Sequence, residues 1–221
     1  MQENKRLAAE KAVDFVEDHM ILGLGSGSTV YWFLKKLGER VSNGLQIKGI
    51  PTSKRTEGWA KEFGIPLTDF SKIEIINLAI DGTDEIDHNL NLVKGGGGSL
   101  VREKIVDAYA DQLIIIADES KVVNALGSFP LPVEILPFGW EVTVDCISRL
   151  GFKLKLRMDE DHVFVSDNGN YIVDCQFDQI LNPKDLHTRL KLLVGVVETG
   201  LFIDLADKAI IGRQEKIEIL T

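Results

Sequence analysis

Four segments of this 221-residue chain hold residues whose types and spacing could do chemistry. The first, Gly23-Leu24-Gly25-Ser26-Gly27-Ser28-Thr29, lies between a short apolar run and a helix-like run. Free backbone N–H groups and the helix dipole at such a junction favour an anion. Small residues let a phosphate approach the backbone, and the hydroxyls of Ser26, Ser28 and Thr29 add donors. The loop is not a dinucleotide fingerprint. Ser28 and Thr29 stand where the third glycine would be, and Ile50-Pro51-Thr52 puts no acid after the second strand. No Gly-Lys-Ser/Thr closes it, so it is not a Walker loop either. A plain tight turn is the bland alternative.

The second segment, Asp81-Gly82-Thr83-Asp84-Glu85-Ile86-Asp87, directly follows the apolar run Ile75 to Ile80. Acids crowded at the end of a strand repel one another unless something uses or neutralises them. A metal is the obvious competitor, with His88 adjacent. The spacing, however, lacks the glycine and distal glutamate of a calcium loop, and no paired histidines suit zinc. A solvated acidic turn is the other alternative. In the third segment, Lys94-Gly95-Gly96-Gly97-Gly98, successive glycines are costly to order and make sense where backbone passes close to a ligand or turns sharply. A flexible linker is the alternative. With Ser99 as N-cap, Glu103 falls in the first turn of the helix that follows; helical spacing alone puts it near Asp107, as a solvated surface acid. The fourth segment is Asp118-Glu119-Ser120-Lys121, where a lone lysine is ordinarily just solvated.

These segments need elements to position them. Asn4 to His19 places Leu7, Ala8, Ala12, Val13 and Val16 on one helical face. Met20 to Leu24 is a short apolar run, and Val30 to Leu37 reads as a helix with Ser28 or Thr29 near its start. Gln46 to Ile50 is a second short strand, and Thr56 to Phe63 a helix closed by Gly64. Ile75 to Ile80 and Leu113 to Ala117 are apolar almost throughout, as strands covered by helices on both faces are, which predicts a parallel sheet. The first, second and fourth segments each follow such a strand and gather at its carboxyl edge, where open α/β sheets bind ligands.

After Phe129 the grammar changes. Leu131 to Ile135 and Phe152 to Leu156 read as strands, and Val142 to Leu150 and Leu186 to Val194 as helices. Turn residues between Val163-Phe164-Val165 and Tyr171-Ile172-Val173 predict a hairpin. The expected architecture is α/β: a Rossmann-like parallel-sheet domain over 1–128 plus 205–221, with a second, smaller α+β domain over 129–204.

Composition narrows the class. With 44% hydrophobic and 27% charged residues the chain is of the soluble globular kind, and no apolar run reaches bilayer length. The start, Met-Gln-Glu-Asn-Lys-Arg, leads into an amphipathic stretch rather than the apolar core of a signal peptide. Cys146 and Cys175 have no metal or redox spacing and read as buried thiols of a reducing cytoplasm. A formal charge of −9 disfavours nonspecific nucleic-acid binding or a basic membrane patch, so an anionic metabolite would need a local pocket of donors.

Taken in order, the Gly25–Thr29 loop, the acidic turn, the glycine run with Arg102-Glu103-Lys104, Ala117 to Lys121, Phe129-Pro130-Leu131-Pro132-Val133-Glu134 and Val194 to Phe202 resemble the signatures of the ribose-5-phosphate isomerase A family. The resemblance covers nearly the whole chain. It implies an aldose–ketose isomerase of the non-oxidative pentose phosphate pathway, interconverting D-ribose 5-phosphate and D-ribulose 5-phosphate through an enediolate. It assigns the base to Glu103. Lys94 and the amides of Gly95, Gly96 and Gly97 are suited to stabilise enediolate charge. Asp81 and Asp84, with Gly82 and Thr83 between them, fit sugar hydroxyls and proton movement, in a division that the residues leave open. Ser26, Gly27, Ser28, Thr29 and Lys121 would hold the phosphate, the lysine as a point charge. No metal or organic cofactor is expected. The resemblance also implies a cytoplasmic homodimer or homotetramer, associating through the smaller domain, whose partner is a small pentose 5-phosphate rather than nucleic acid or membrane. Two rivals stand beside this reading: an amino-sugar phosphate deaminase on a similar fold, and a sugar-phosphate-sensing regulator. The regulator would need a DNA-binding helix pair that the acidic N-terminus does not provide.

Overall fold

The computed structural model describes residues 2–214 and 216–221. In chain order its elements begin with α1 (Gln2–Ala12), β1 (Ile21–Leu24), α2 (Ser28–Ser42), β2 (Lys48–Pro51), α3 (Lys54–Glu62) and β3 (Leu78–Asp81). Next come β4 (Glu85–Ile86), β5 (Leu92–Val93), α4 (Leu100–Tyr109), β6 (Leu113–Asp118), β7 (Leu131–Ile135) and α5 (Trp140–Ser148). The remainder is β8 (Lys153–Leu156), β9 (Met158–Asp159), β10 (His162–Val163), β11 (Tyr171–Gln176), α6 (Pro183–Lys191), β12 (Val196–Thr199), β13 (Leu201–Phe202), β14 (Lys208–Arg213) and β15 (Lys216–Leu220). The chain divides into two compact units, one of residues 1–83, 102–122 and 204–221, the other of 84–101 and 123–203.

The larger unit is built on a six-stranded sheet of order β15-β14-β6-β3-β1-β2. All neighbours are parallel except the edge pair β14–β15. Its central strands are apolar throughout because both faces are covered. Leu22, Leu24, Leu78, Ile80, Ile114 and Ile116 pack with Ala8, Ala12, Phe33 and Leu37 of α1 and α2. On the other face Ile50 and Ile76 pack against Val106 of α4. A Cβ on Gly23 would come within 2.6 Å of Val106, so this strand position needs glycine for α4 to approach. The first helix ends sooner than its periodicity predicts, passing into a tight turn at Val13–Phe15. There the Arg40 guanidinium donates to the carbonyls of Val13 (2.7 Å) and Val16 (3.3 Å).

The smaller unit has a four-stranded antiparallel sheet of order β12-β7-β11-β8 and a three-stranded one of order β13-β5-β4. Leu131, Val133, Ile135, Val173 and Cys175 form its core with Ile147 of α5 and Leu186 and Leu190 of α6. Two expectations fail here. The units do not part at Phe129, because residues 84–101 cluster with the smaller one. Their anchors lie far along the chain: β5 pairs with β13, and the Glu85 carboxylate accepts the N–H groups of Gly127 and Phe129, both at 2.7 Å. The strand pairing of the predicted hairpin across 163–173 is also absent, although the chain does turn there, Ser166 N–H donating to Asn170 O and Gly169 N–H to Ser166 O, both at 2.9 Å. β11 pairs with β7 and β8, while β10 pairs with β9 around Glu160, whose φ is 52°. The turn-forming residues also satisfy a buried carboxylate. Ser166 Oγ (2.9 Å) and Asn170 Nδ2 (2.8 Å) donate to Glu134, which is 0% exposed in β7.

Candidate active site

Sheet order determines where the chemistry of the larger unit collects. The strand following β1 lies on one side of it and β3 on the other, so the topology reverses between β1 and β3 at their carboxyl ends. The Gly25–Thr29 loop leaves β1 at that point, and Asp81 ends β3. Gly25 N–H donates to Ile80 O (3.0 Å), which brings the two strand ends so close that a Cβ on Gly25 would lie 2.5 Å from Asp81 Cα and overlap its carboxylate. Asp81 is fully buried, and its Oδ1 accepts the N–H groups of Ser26 (2.9 Å) and Gly82 (2.6 Å). Ser26 Oγ in turn donates to Glu103 Oε1, at the start of α4. Ser26, Asp81 and Glu103 thus form one buried hydrogen-bonded group drawn from the ends of β1 and β3 and the start of α4.

Glu103 is 4% exposed and Asp107 2%, so neither is the solvated surface acid that helical spacing suggests. Gly27, with φ at 98°, is the N-cap of α2 and brings no side chain to its amides. Thr29 is buried and Ser28 exposed at the mouth of that helix end. Lys5 of α1 reaches Ser28, donating from Nζ to Oγ at 3.0 Å. Sequence reasoning missed this residue because periodicity only sorts α1 into apolar and polar faces. One signal was available: a cation at the positive end of a helix is unfavourable, and while Arg6 is paired with Glu3 and Glu10, Lys5 goes to the loop instead. Lys121 closes the turn after β6, whose Asp118 accepts Ser120 N–H at 3.0 Å.

The smaller unit carries the rest. Asp84 enters β4 with its N–H on Val93 O (2.9 Å), and Lys94 leaves β5 with its N–H on Gly200 O (2.8 Å). Lys94 is 2% exposed, its ammonium 5.3 Å from the centroid of the Phe202 ring. The glycine run that follows is ordered by specific contacts and is not a linker. Gly96 N–H donates to Asp84 Oδ2 (2.7 Å), and Gly98 N–H to Gly95 O (3.0 Å). Gly95 and Gly98 have φ of 99° and 84°, a region favouring glycine. A Cβ on Gly96 would meet the Asp84 carboxylate at 2.7 Å and Phe129 at 2.9 Å.

The crowded acids divide by role. Glu85 and Asp87 fold the chain, Asp87 accepting the N–H groups of Asn89 and Asn91, both at 2.9 Å. Asp81 and Asp84 are held against the Gly25–Thr29 loop and the glycine run respectively. His88 is exposed and lies 3.4 Å from Asn124. Among the described residues no three His, Cys, Asp or Glu side chains gather as a metal ion would require.

Residues 48–216 match the family described as ribose 5-phosphate isomerase A (phosphoriboisomerase A). Ribose-5-phosphate isomerase A of Bacillus mycoides (strain KBAB4) is 55% identical over 219 residues, covering 99% of each chain. Ribose-5-phosphate isomerase A 1 of Oceanobacillus iheyensis is 52% identical, covering 97% of this chain and 96% of its own. The chain belongs to the ribose 5-phosphate isomerase A family. It is an aldose–ketose isomerase, and its reaction interconverts ribose 5-phosphate and ribulose 5-phosphate. The solved ribose 5-phosphate isomerase of Plasmodium falciparum superposes with a TM-score of 0.97 at 41% identity, over 100% of this chain and 99% of that one. A solved D-ribose-5-phosphate isomerase in complex with phospho-erythronic acid gives 0.95 at 39% identity, over 99% and 97%. Of the residues expected at the isomerase site, Ser26, Asp81, Gly82 and Glu103 are hydrogen-bonded into one group in the larger unit, and Asp84 and Gly96 into another in the smaller.

Proposed function

We propose that the isomerisation runs through an enediolate with Glu103 as its base. The observation that carries this is the buried Ser26–Glu103 hydrogen bond, which ties a carboxylate at a helix start to the loop best suited to phosphate. Glu103 takes the proton from C2 of the open-chain aldose, and the electron pair moves to the C1 oxygen. The same carboxyl group then returns the proton to C1, while a hydroxyl proton passes from O2 to O1. Lys94 and the amides of Gly95, Gly96 and Gly97 stabilise the negative charge that develops between these steps. Asp81 and Asp84 bind sugar hydroxyls and move protons in ring opening, with Gly82 and Thr83 supplying backbone beside them. Lysine and backbone donors supply the electrophile, so the reaction needs no metal or organic cofactor.

The phosphate is held by Ser26, Gly27, Ser28, Thr29 and Lys121, and Lys5 joins them through Ser28. We place the enzyme in the cytoplasm as a homodimer or homotetramer. Supporting association through the smaller unit, Phe138, Val142, Leu192 and Val194 are exposed there at 95%, 67%, 78% and 94%.

The test is Glu103→Gln, which keeps the shape and removes the proton acceptor. Turnover of ribose 5-phosphate should fall by about 10²–10⁴-fold with circular dichroism unchanged. Activity within a few-fold of the parent enzyme would mean that another carboxylate is the base.

A further inference from the structure

We propose that Arg157 is a positioning residue for the isomerisation, acting on Asp84 and the glycine run through the single peptide group that joins Gly95 to Gly96. The inference rests on the roles given above to Asp84 and that run.

A peptide flanked by glycines is the part of a chain most free to rotate about its Cα–Cα axis. This one is held at both ends. Its N–H, on Gly96, donates to Asp84 Oδ2 at 2.7 Å. Its C=O, on Gly95, accepts from Arg157 Nη1 at 2.9 Å, and the same nitrogen lies 3.3 Å from Gly96 O. A cation on the carbonyl end polarises the group and strengthens the N–H as a donor to the carboxylate at its other end. Arg157, the peptide and Asp84 therefore form one line of hydrogen bonds that sets the direction of the Asp84 carboxylate.

Arg157 is itself fixed. Its guanidinium makes a two-pronged pair with Asp174, Nε to Oδ2 at 2.9 Å and Nη2 to Oδ1 at 2.5 Å, with the side chains 14% and 25% exposed. Asp174 lies in β11, paired on one side with Pro132 of β7 and on the other with Lys155 of β8, so the fork is anchored inside the sheet. Phe164 completes the mount. Its N–H donates to Arg157 O at 2.9 Å and its ring centroid lies 5.7 Å from the guanidinium. The same ring fills the space that a Cβ on Gly98 would need. Just beyond Phe164 the chain is pinned where Ser166 and Asn170 donate to buried Glu134. None of this touches reacting atoms; all of it orients a segment that does.

The experiment compares Arg157→Lys, which keeps the charge and loses the planar fork, with Arg157→Ala in the presence and absence of guanidinium chloride. For Arg157→Lys the expected result is a kcat lower by about 10²-fold, the scale of a misplacement near 1 Å, with KM for ribose 5-phosphate within a few-fold of the parent. Guanidinium should restore part of the kcat lost in Arg157→Ala and leave the parent enzyme unaffected. In an Asp84→Ala background, Arg157→Lys should cost little more, because the group it orients is gone. Should Arg157→Ala fail to fold, Asp174→Asn, which loosens the fork without removing it, takes its place and should lower kcat in the same sense. The proposal is overturned if kcat per folded molecule stays near the parent value, if only KM rises, or if the Arg157 and Asp84 losses multiply independently. Wild-type turnover in Asp84→Ala alone would instead sink the role given to Asp84, a separate result.

Discussion

Gly25→Ala tests how tightly the Gly25–Thr29 loop and Asp81 are bound together. The new Cβ would sit 2.5 Å from Asp81 Cα, whereas ordinary contacts begin at 3.4 Å, so a gap of about 1 Å must open. Asp81 cannot yield cheaply. It is fully buried, pairs with Ile115 of β6, and holds two backbone N–H groups on Oδ1. Overpacking of this kind costs about 1–3 kcal/mol. For a chain of this length that lowers Tm by roughly 2–12 °C. The larger effect should be catalytic: a shift of about 1 Å between Asp81 and the loop should reduce kcat by about 10²-fold. Gly58→Ala is the control. That glycine lies in α3 with nothing near its missing Cβ, so the same change there should stabilise by roughly 0.5–1 kcal/mol and leave turnover alone. Steady-state kinetics with ribose 5-phosphate and a thermal melt of both variants decide the matter. Parent-like kcat and Tm in Gly25→Ala would refute the claim that this contact sets the site.

The remaining expectations concern phosphate, metal and thiol. Lys5→Met and Lys121→Ala should each lower kcat/KM for ribose 5-phosphate by roughly ten- to a hundredfold, the worth of a charged hydrogen bond, and barely alter it for free ribose; equal losses on both sugars would remove that lysine from the phosphate site. Exhaustive treatment with EDTA should leave activity intact under the proposal that Lys94 and the glycine amides carry the enediolate charge, and loss of activity together with stoichiometric metal would overturn that mechanism. Burial pushes the Cys175 thiol up to about 12, from an ordinary 9.0. Between those values the unfolded chain ionises this thiol and the folded one does not, so its contribution to stability, complete below pH 9, should drain away as pH rises toward 12. Denaturant melts at stepped alkaline pH should show a shallower decline in Cys175→Ala, and an unchanged slope would contradict the burial argument.

Much of the larger unit was legible because its determinants are local. Ile75 to Ile80 and Leu113 to Ala117 are apolar on both sides, which only a covered strand explains, and the loops after β1, β3 and β6 follow from strand direction. The illegible parts depend on partners distant in sequence. β4 and β5 are two residues each and show no period, and what holds them is β13, more than a hundred residues on. The acidic segment changes units between Thr83 and Asp84, so a boundary drawn from composition could not find it. Ser166 to Asn170 has the residues of a hairpin turn, because the small polar side chains that tolerate turns are also those that can reach a buried carboxylate.

Glu103 shows the same limit at the site itself. Helical spacing sets it beside Asp107 and makes both look solvated, yet its partner is a serine 77 residues earlier. A carboxylate loses water on burial at a cost of several kcal/mol unless donors replace it. Ser26, whose own N–H holds Asp81, is one such donor. The serine therefore does two things at once in the larger unit: its amide fixes one acid and its hydroxyl another. Neither bond has any trace in periodicity, since both are set by where β1, β3 and α4 end. What the sequence does record is a small, hydroxyl-bearing residue between two glycines, and the packing explains that choice. Gly25 must clear the Asp81 carboxylate, Gly27 must adopt a left-handed φ before α2, and the residue between them must be compact enough to bury and still donate.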